Sequence, residues 1–262
     1  MHLRLLFGLI LTFSSMTTPA NDVSPQSRDI ESFWEYSDPA ASEQRFRAAL
    51  ATATGDERLE LLTQVARTHS LRKDFAEAHR QLDAIEKELP GAGPRPRIRY
   101  FLERGRTFNS AGDKAEARAL FEQAWTLARA SGAEGLAVDA AHMIAIVAGG
   151  TDEAVQWNRR GLEIARRSSD AKAKALVPAM YNNMAWDLHE MKRYPEALAA
   201  FESSLAEWTA RGKPRQIQLA KSSVAQCLRS MGRDAEAARI EKDLEAEGYM
   251  SNPVPVEDTP QP

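Results

Sequence analysis

From about residue 57 to residue 248, apolar residues recur at offsets of three, four and seven, and the whole arrangement returns about every 40 residues. That spacing puts them on one face of a helix and not on one face of a strand. The clearest copy runs from Phe101 to Ala124: Phe101, Gly105 and Phe108, a Gly112-Asp113 break, then Ala117, Phe121 and Ala124. Two helices joined by a tight turn is the element this predicts. Anchored on the small residue that lets two helices approach, the copies fall at Ala78, Ala117, Ala154, Ala197 and Ala237, at intervals of 39, 37, 43 and 40 residues.

Each anchor follows a break: Lys73-Asp74, Gly112-Asp113, Gly149-Gly150-Thr151, Lys192 to Pro195, and Gly232 to Asp234. Asp74 and Asp113 are each followed three residues later by Glu77 and Glu116, which predicts a capping box at both helix starts. Pro195 suits a first helical turn, where its missing N–H is not needed. Pro90, Pro94 and Pro96 separate the first pair from the second, and Gly132 and Gly212 mark later linkers. Runs of alternating β-branched residues and Asn-Gly turns are missing, so the fold class is all-α with about five hairpins. Asp38-Pro39 starts one further helix through Phe46, Ala49 and Leu50, read as a cap on the stack.

The pattern of Phe101 to Ala124 resembles the tetratricopeptide (TPR) repeat, and the resemblance extends over roughly residues 57–248. In the fourth copy, Tyr181-Asn-Asn-Met-Ala-Trp186 followed by Tyr194-Pro-Glu-Ala-Leu198 and Phe201 is similar to the elongated repeats of kinesin light chains and related bacterial regulators. The third copy departs most, with His142 at the usual small position and Asn158 at the usual aromatic one. The resemblance implies a right-handed superhelical solenoid whose first helices line a concave groove. It also implies a non-catalytic scaffold or adaptor that binds a peptide or protein there, or else a sensor whose superhelix changes curvature on binding.

Carried over residue by residue, the groove positions are Arg67, Arg99, Arg106 and Asn109, then Met143 and Ile146, then Asn182, Trp186, His189 and Arg229. Arg67 and Arg106 are expected as rim charges that act on encounter. Trp186 is either core or a groove-facing anchor beside Asn182. Some family members clamp a terminal carboxylate with Lys and Asn; here Asp139 and Met143 stand at the partner positions of Asn183, so that clamp is not carried over.

The amino terminus changes the expected location. A basic start, Met1 to Arg4, precedes nine mostly apolar residues, Leu5 to Phe13, and a small-residue exit at Thr18-Pro19-Ala20. This reads as a secretory signal peptide cleaved after Ala20. Nine helical residues span roughly 14 Å against a hydrocarbon core of about 30 Å, too little for a transmembrane helix. The expected organisation is a signal peptide over 1–20, a flexible segment over 21–37, the solenoid over 38–248 and a disordered, proline-rich tail over 249–262. The product is expected to be exported, to a bacterial periplasm or fully secreted.

Composition narrows the chemistry. The formal charge of −3 offers no concentrated basic footprint, which argues against nucleic acid as a partner. Cys227 is the one cysteine, so no intramolecular disulfide forms and a buried structural thiol is expected. His69, His79, His142 and His189 include no i, i+4 pair of the zinc-binding kind, and they read as solvated or inter-repeat hydrogen-bonding groups. Gly149-Gly150-Thr151 lacks the Lys of a phosphate loop and reads as a turn. Arg159-Arg160 and Arg166-Arg167 read as a solvated convex face. Neither cofactor nor metal is expected, and no constellation suggests an enzyme.

Overall fold

Five alanines set the spacing of the helices. In the computed structural model, which describes residues 29–249, Ala78, Ala117, Ala154, Ala197 and Ala237 are all fully buried. Each sits on the second helix of a hairpin, where a larger side chain would hold the two helices apart. The hairpins are α2 (Gly55–Leu71) with α3 (Phe75–Glu86), α4 (Pro94–Ala111) with α5 (Lys114–Ser131), and α6 (Glu134–Ala148) with α7 (Asp152–Arg167). After α8 (Ala171–Ala175) come α9 (Val177–Glu190) with α10 (Tyr194–Ala210), and α11 (Pro214–Ser230) with α12 (Asp234–Ala246). Helix α1 (Pro39–Leu50) precedes them and buries Phe46 against α2. The described residues are therefore an all-α solenoid of five helical hairpins with a capping helix.

Local chemistry accounts for the boundaries. Asp38 Oδ1 accepts the Ala41 N–H at 3.0 Å and starts α1 at Pro39. Thr151 Oγ1 accepts the Ala154 N–H at 3.2 Å, so Gly149-Gly150-Thr151 is the turn its composition predicted. The long interval between Ala154 and Ala197 is taken up by α8, split from α9 at Leu176 ahead of Pro178. The two capping boxes are only half formed. Asp74 and Asp113 accept the Glu77 and Glu116 N–H groups at 3.3 and 3.2 Å. Their own N–H groups donate to His69 and Phe108 carbonyls and close the preceding helices instead, while Glu77 pairs with Arg80.

Part of the segment read as flexible over 21–37 is corrected. From Asp29 on it holds a 3-10 turn, Ile30–Phe33, and Ile30 and Trp34 are buried with Phe46, Leu61 and Val65. The signal-peptide reading of 1–20 and the tail from 250 lie outside the described residues. Among the described residues, no helix is long and apolar enough to cross a membrane.

Two glycines test the packing. A Cβ on Gly105 would stand 2.5 Å from Cε1 of the buried Phe121 ring; on Gly161 its closest contact would be the terminal methyl of Met180, at 2.2 Å, with Met180 Sδ at 3.1 Å and Ala141 Cβ at 3.4 Å. Gly105→Ala is expected to lower stability by about 1–3 kcal/mol. Gly161→Ala should be near neutral, because Met180 has rotamers to spare and alanine gains helix propensity. Thermal melts followed by circular dichroism separate the two.

Candidate binding groove

The first helices pack side by side, α2 on α4 and α4 on α6. The second helices α5 and α7 meet through long side chains, Trp125 edge-on to Trp157 and Arg118 with Glu153. The first helices therefore form the inner wall. On that wall α2 presents Glu60, Gln64 and Arg67, one helical turn apart, and α4 presents Arg95, Arg99, Glu103 and Arg106 in the same way.

These groups form a continuous ladder across the hairpins. Arg99 Nε donates to Glu60 Oε2 at 2.9 Å, and Arg95 Nε reaches Glu60 Oε1 at 3.2 Å. Gln64 Nε2 donates to Glu103 Oε1 at 3.2 Å, Arg106 Nη1 donates to the same oxygen at 2.8 Å, and Arg67 Nε lies 3.7 Å from Glu103 Oε2. Arg106 extends the ladder to Asp139 on α6. Burial works to raise the Asp139 carboxyl, but the adjoining Arg106 guanidinium outweighs it and holds the group below the usual carboxylate range.

This placement corrects the reading of Arg67 and Arg106 as rim charges. They are 6% and 8% exposed, Arg99 is 3% exposed, and Glu103 is 1% exposed. Each guanidinium is held by carboxylates because an uncompensated buried charge costs several kcal/mol. Met143, also expected on the groove, is buried in the core with Leu136, Ala140 and Trp157. Arg229 turns away to α12, pairing with Asp234 and Glu241. Asn109 and Ile146 are half-buried on their helices.

The carboxy-terminal part of the wall is more open. Asn182, Asn183, Trp186 and His189 of α9 are half-buried. Trp186 meets the core ring of Phe201 edge-on at 4.9 Å and the imidazole of His189 at 5.4 Å, so it is both packed and partly exposed. His189 Nε2 pairs with Ser230 Oγ on α11 at 2.8 Å, linking the fourth hairpin to the fifth. Glu60, Gln64, Glu103 and Lys172 were not singled out from sequence. The available signal was the polar stripe itself, at helical spacing on helices that are otherwise packed on several sides.

Elsewhere, clefts of about 450 and 370 Å³ open between α7 and α9 and between α5 and α7. They are bordered by the exposed Arg159, Arg160, Arg166 and Arg167, with Arg160 over the Trp157 ring at 4.6 Å. Among the described residues, no group of His, Cys, Asp and Glu is arranged to hold a metal ion. Cys227 is buried, and burial pushes its thiol up from the ordinary range.

The third hairpin departs from its neighbours in chemistry but not in packing. Asn158 is fully buried and donates to the Ala154 carbonyl at 3.2 Å and to Asp187 Oδ2 at 3.4 Å. Asp187 Oδ1 accepts the Gly150 N–H at 2.8 Å, so α9 anchors the turn between α6 and α7. Burial pushes the Asp187 carboxyl up to about 6, with the Gly150 N–H opposing the rise and Glu190 adding to it.

A family model described as Tetratricopeptide repeat matches residues 179–210, the fourth hairpin. No curated protein matches the chain in sequence. BtubC (BKLC) from P. vanneervenii is similar in structure, with a TM-score of 0.61 and 16% identity over 87% of this chain and 96% of that one. The nearly identical TPR-like repeats of a putative kinesin light chain from Podosopora anserina give 0.61 and 17% over 77% and 100%. NprR in complex with its cognate peptide NprX gives 0.54 and 16% over 85% of this chain and 64% of NprR. At such identities the likeness concerns the fold: a TPR-like helical repeat related to those of kinesin light chain and of Rap and NprR regulators. The expectation of an exported, periplasmic or secreted protein is corrected: the Rap and NprR chains that share the fold lend it no support.

Two measurements test this geometry. Trp186→Ala removes a half-buried ring from Phe201 and is expected to cost about 2 kcal/mol, below the full penalty of a buried aromatic, and to lower the melting temperature by roughly 4–8 °C. Asp187 has a raised folded-state pKa of about 6, so its contribution to stability is full below the unfolded value and is lost as pH rises through about 6. Asp187→Asn should therefore improve relative to the parent chain between pH 4 and pH 7, by roughly 2–4 °C after allowance for solvent access. A melting-temperature difference that stays flat across that range counts against the assignment.

Proposed function

We propose that this chain is a peptide- or protein-binding receptor module of a regulatory kind, in which ligand binding alters the curvature of the helical stack. The observation that carries the reading is the contrast along the inner wall. Its amino-terminal part is closed by paired charges, whereas Asn182 and Asn183 offer amides with no hydrogen bond among the described residues, beside the half-exposed Trp186 and His189. Such amides suit the backbone of an extended peptide, and Trp is a frequent binding anchor.

His189 supplies a route from binding to shape. A ligand that engages its imidazole competes with the bond to Ser230, one of the links between the fourth and fifth hairpins. A differential contact of that kind is what a ligand needs in order to shift a conformational equilibrium. The likeness to Rap in complex with Competence and Sporulation Factor, and to NprR with NprX, supports this sensor reading over that of an adaptor of constant shape. Asn109 borders the same wall further toward the amino terminus, and Arg67, Arg99 and Arg106 serve to hold the wall together.

Selection of peptides from a displayed random library, followed by small-angle X-ray scattering at saturation, tests the proposal. The expected result is a change in radius of gyration on binding. His189→Ala should weaken the selected peptide by about 1 kcal/mol, roughly fivefold. A saturated complex with unaltered scattering favours the constant-shape adaptor instead.

A further inference from the structure

The amino-terminal part of the inner wall is covered by the chain itself. Asp29 and Glu31 approach Lys172 Nζ on α8 at 3.7 and 3.8 Å, and Glu31 Oε1 accepts from Arg99 Nη2 on α4 at 3.2 Å. Trp34 Nε1 donates to Gln64 Oε1 on α2 at 3.1 Å. The Trp34 and Tyr36 rings stack with centroids 5.0 Å apart, and the Arg67 guanidinium lies 5.1 and 5.5 Å from them. Residues 29–36 thus run across α2, α4 and α8 before reaching α1.

Every one of these contacts is made by a side chain. Among the described residues, the backbone of the segment bonds within itself and, at Glu35, to Asp38 and Ser42 at the start of α1, but not to α2, α4 or α8. Ile30, Phe33 and Trp34 also pack on Phe46, Leu61 and Val65, and like the polar contacts these are side-chain contacts, of the kind that the same groups on another chain can exchange. The segment's chemistry also matches the wall: an acid faces Arg99 and Lys172, and two rings face Arg67, an arrangement that gains from cation–π attraction.

We infer that residues 29–36 are a ligand built into the chain, occupying a peptide site whose specificity is an acid followed three and five residues later by aromatic rings. An outside peptide with Glu31-like, Trp34-like and Tyr36-like groups at that spacing competes for the site and displaces the segment. The inference rests on the reading of the inner wall as a peptide-binding surface and adds which chemistry the amino-terminal part selects. A tethered segment acts at millimolar effective concentration, so an outside copy must reach that range to displace it, and weakening the tethered copy raises the apparent affinity of the outside one.

The probe is the synthetic peptide Asp-Ile-Glu-Ser-Phe-Trp-Glu-Tyr-Ser, the sequence of residues 29–37. In the full chain, Glu35→Cys places a nitroxide on an exposed position of the segment, and the fully buried Cys227 leaves that thiol as the reactive one. Adding the peptide is expected to convert the immobile spectrum to a mobile one near about 1 mM, whereas a peptide with both rings replaced by alanine leaves it unchanged. A fluorescein-labelled copy should bind the full chain carrying Trp34→Ala and Tyr36→Ala at least about tenfold tighter than it binds the unaltered chain. A nitroxide that stays immobile through the millimolar range overturns the inference, whether or not the double variant folds. So does equal affinity for both chains. Either result leaves the curvature measurement with library-selected peptides untouched, so the two proposals fail separately.

Discussion

A two-helix hairpin cannot bury its own apolar face, and the rest of this structure depends on how closely the next hairpin can come. Within the hairpins the approach of the two helices is set at five fully buried alanines, with the buried Leu82, Phe121 and Phe201 one turn further on. Gly105 lets the Phe121 ring lie against the α4 backbone, and Gly161 does the same for Met180 between α7 and α9. Because each unit leans on its neighbour, stability is a sum of interfaces and the groove inherits its shape from them.

The inner wall adds a second constraint, electrostatic rather than steric. Arg67, Arg99 and Arg106 lie where water is largely excluded, so each must find a carboxylate or ring in the fold. Glu103, itself nearly inaccessible, serves two of them and ties α2 to α4, while Asp139 carries the chain of charges on to α6. The third hairpin shows the same economy by other means: where its neighbours place a bulky apolar residue, Asn158 uses its amide to join α7 to Asp187. The Asn158 Nδ2 is satisfied there, while its buried Oδ1 has no hydrogen-bond partner among the described residues.

Much of the architecture was legible in the sequence. Helical spacing, the Asp38, Asp74 and Asp113 caps and the five small anchors are all local properties, and hairpin number, order and turn positions derive from them. The groove was only partly legible. Asn182, Trp186 and His189 are half-buried on α9, whereas Met143 turned into the core and Arg229 toward α12. A one-residue step rotates a side chain about 100° around a helix, so small errors of register exchange wall for core.

What the sequence determined by itself was the set of helices and the pairing of neighbours, since both are governed by windows of fewer than about 40 residues, the length of one hairpin. Tertiary structure alone decided which charges are buried. Helical register puts Arg99 on the wall and Arg97 on the far face, but that Arg99 is covered depends on Glu31, 68 positions away, lying across it. Trp34 likewise reaches Gln64 over 30 positions and shields the wall beneath. Burial depends on what distant segments bring over a residue, and no local pattern contains that information.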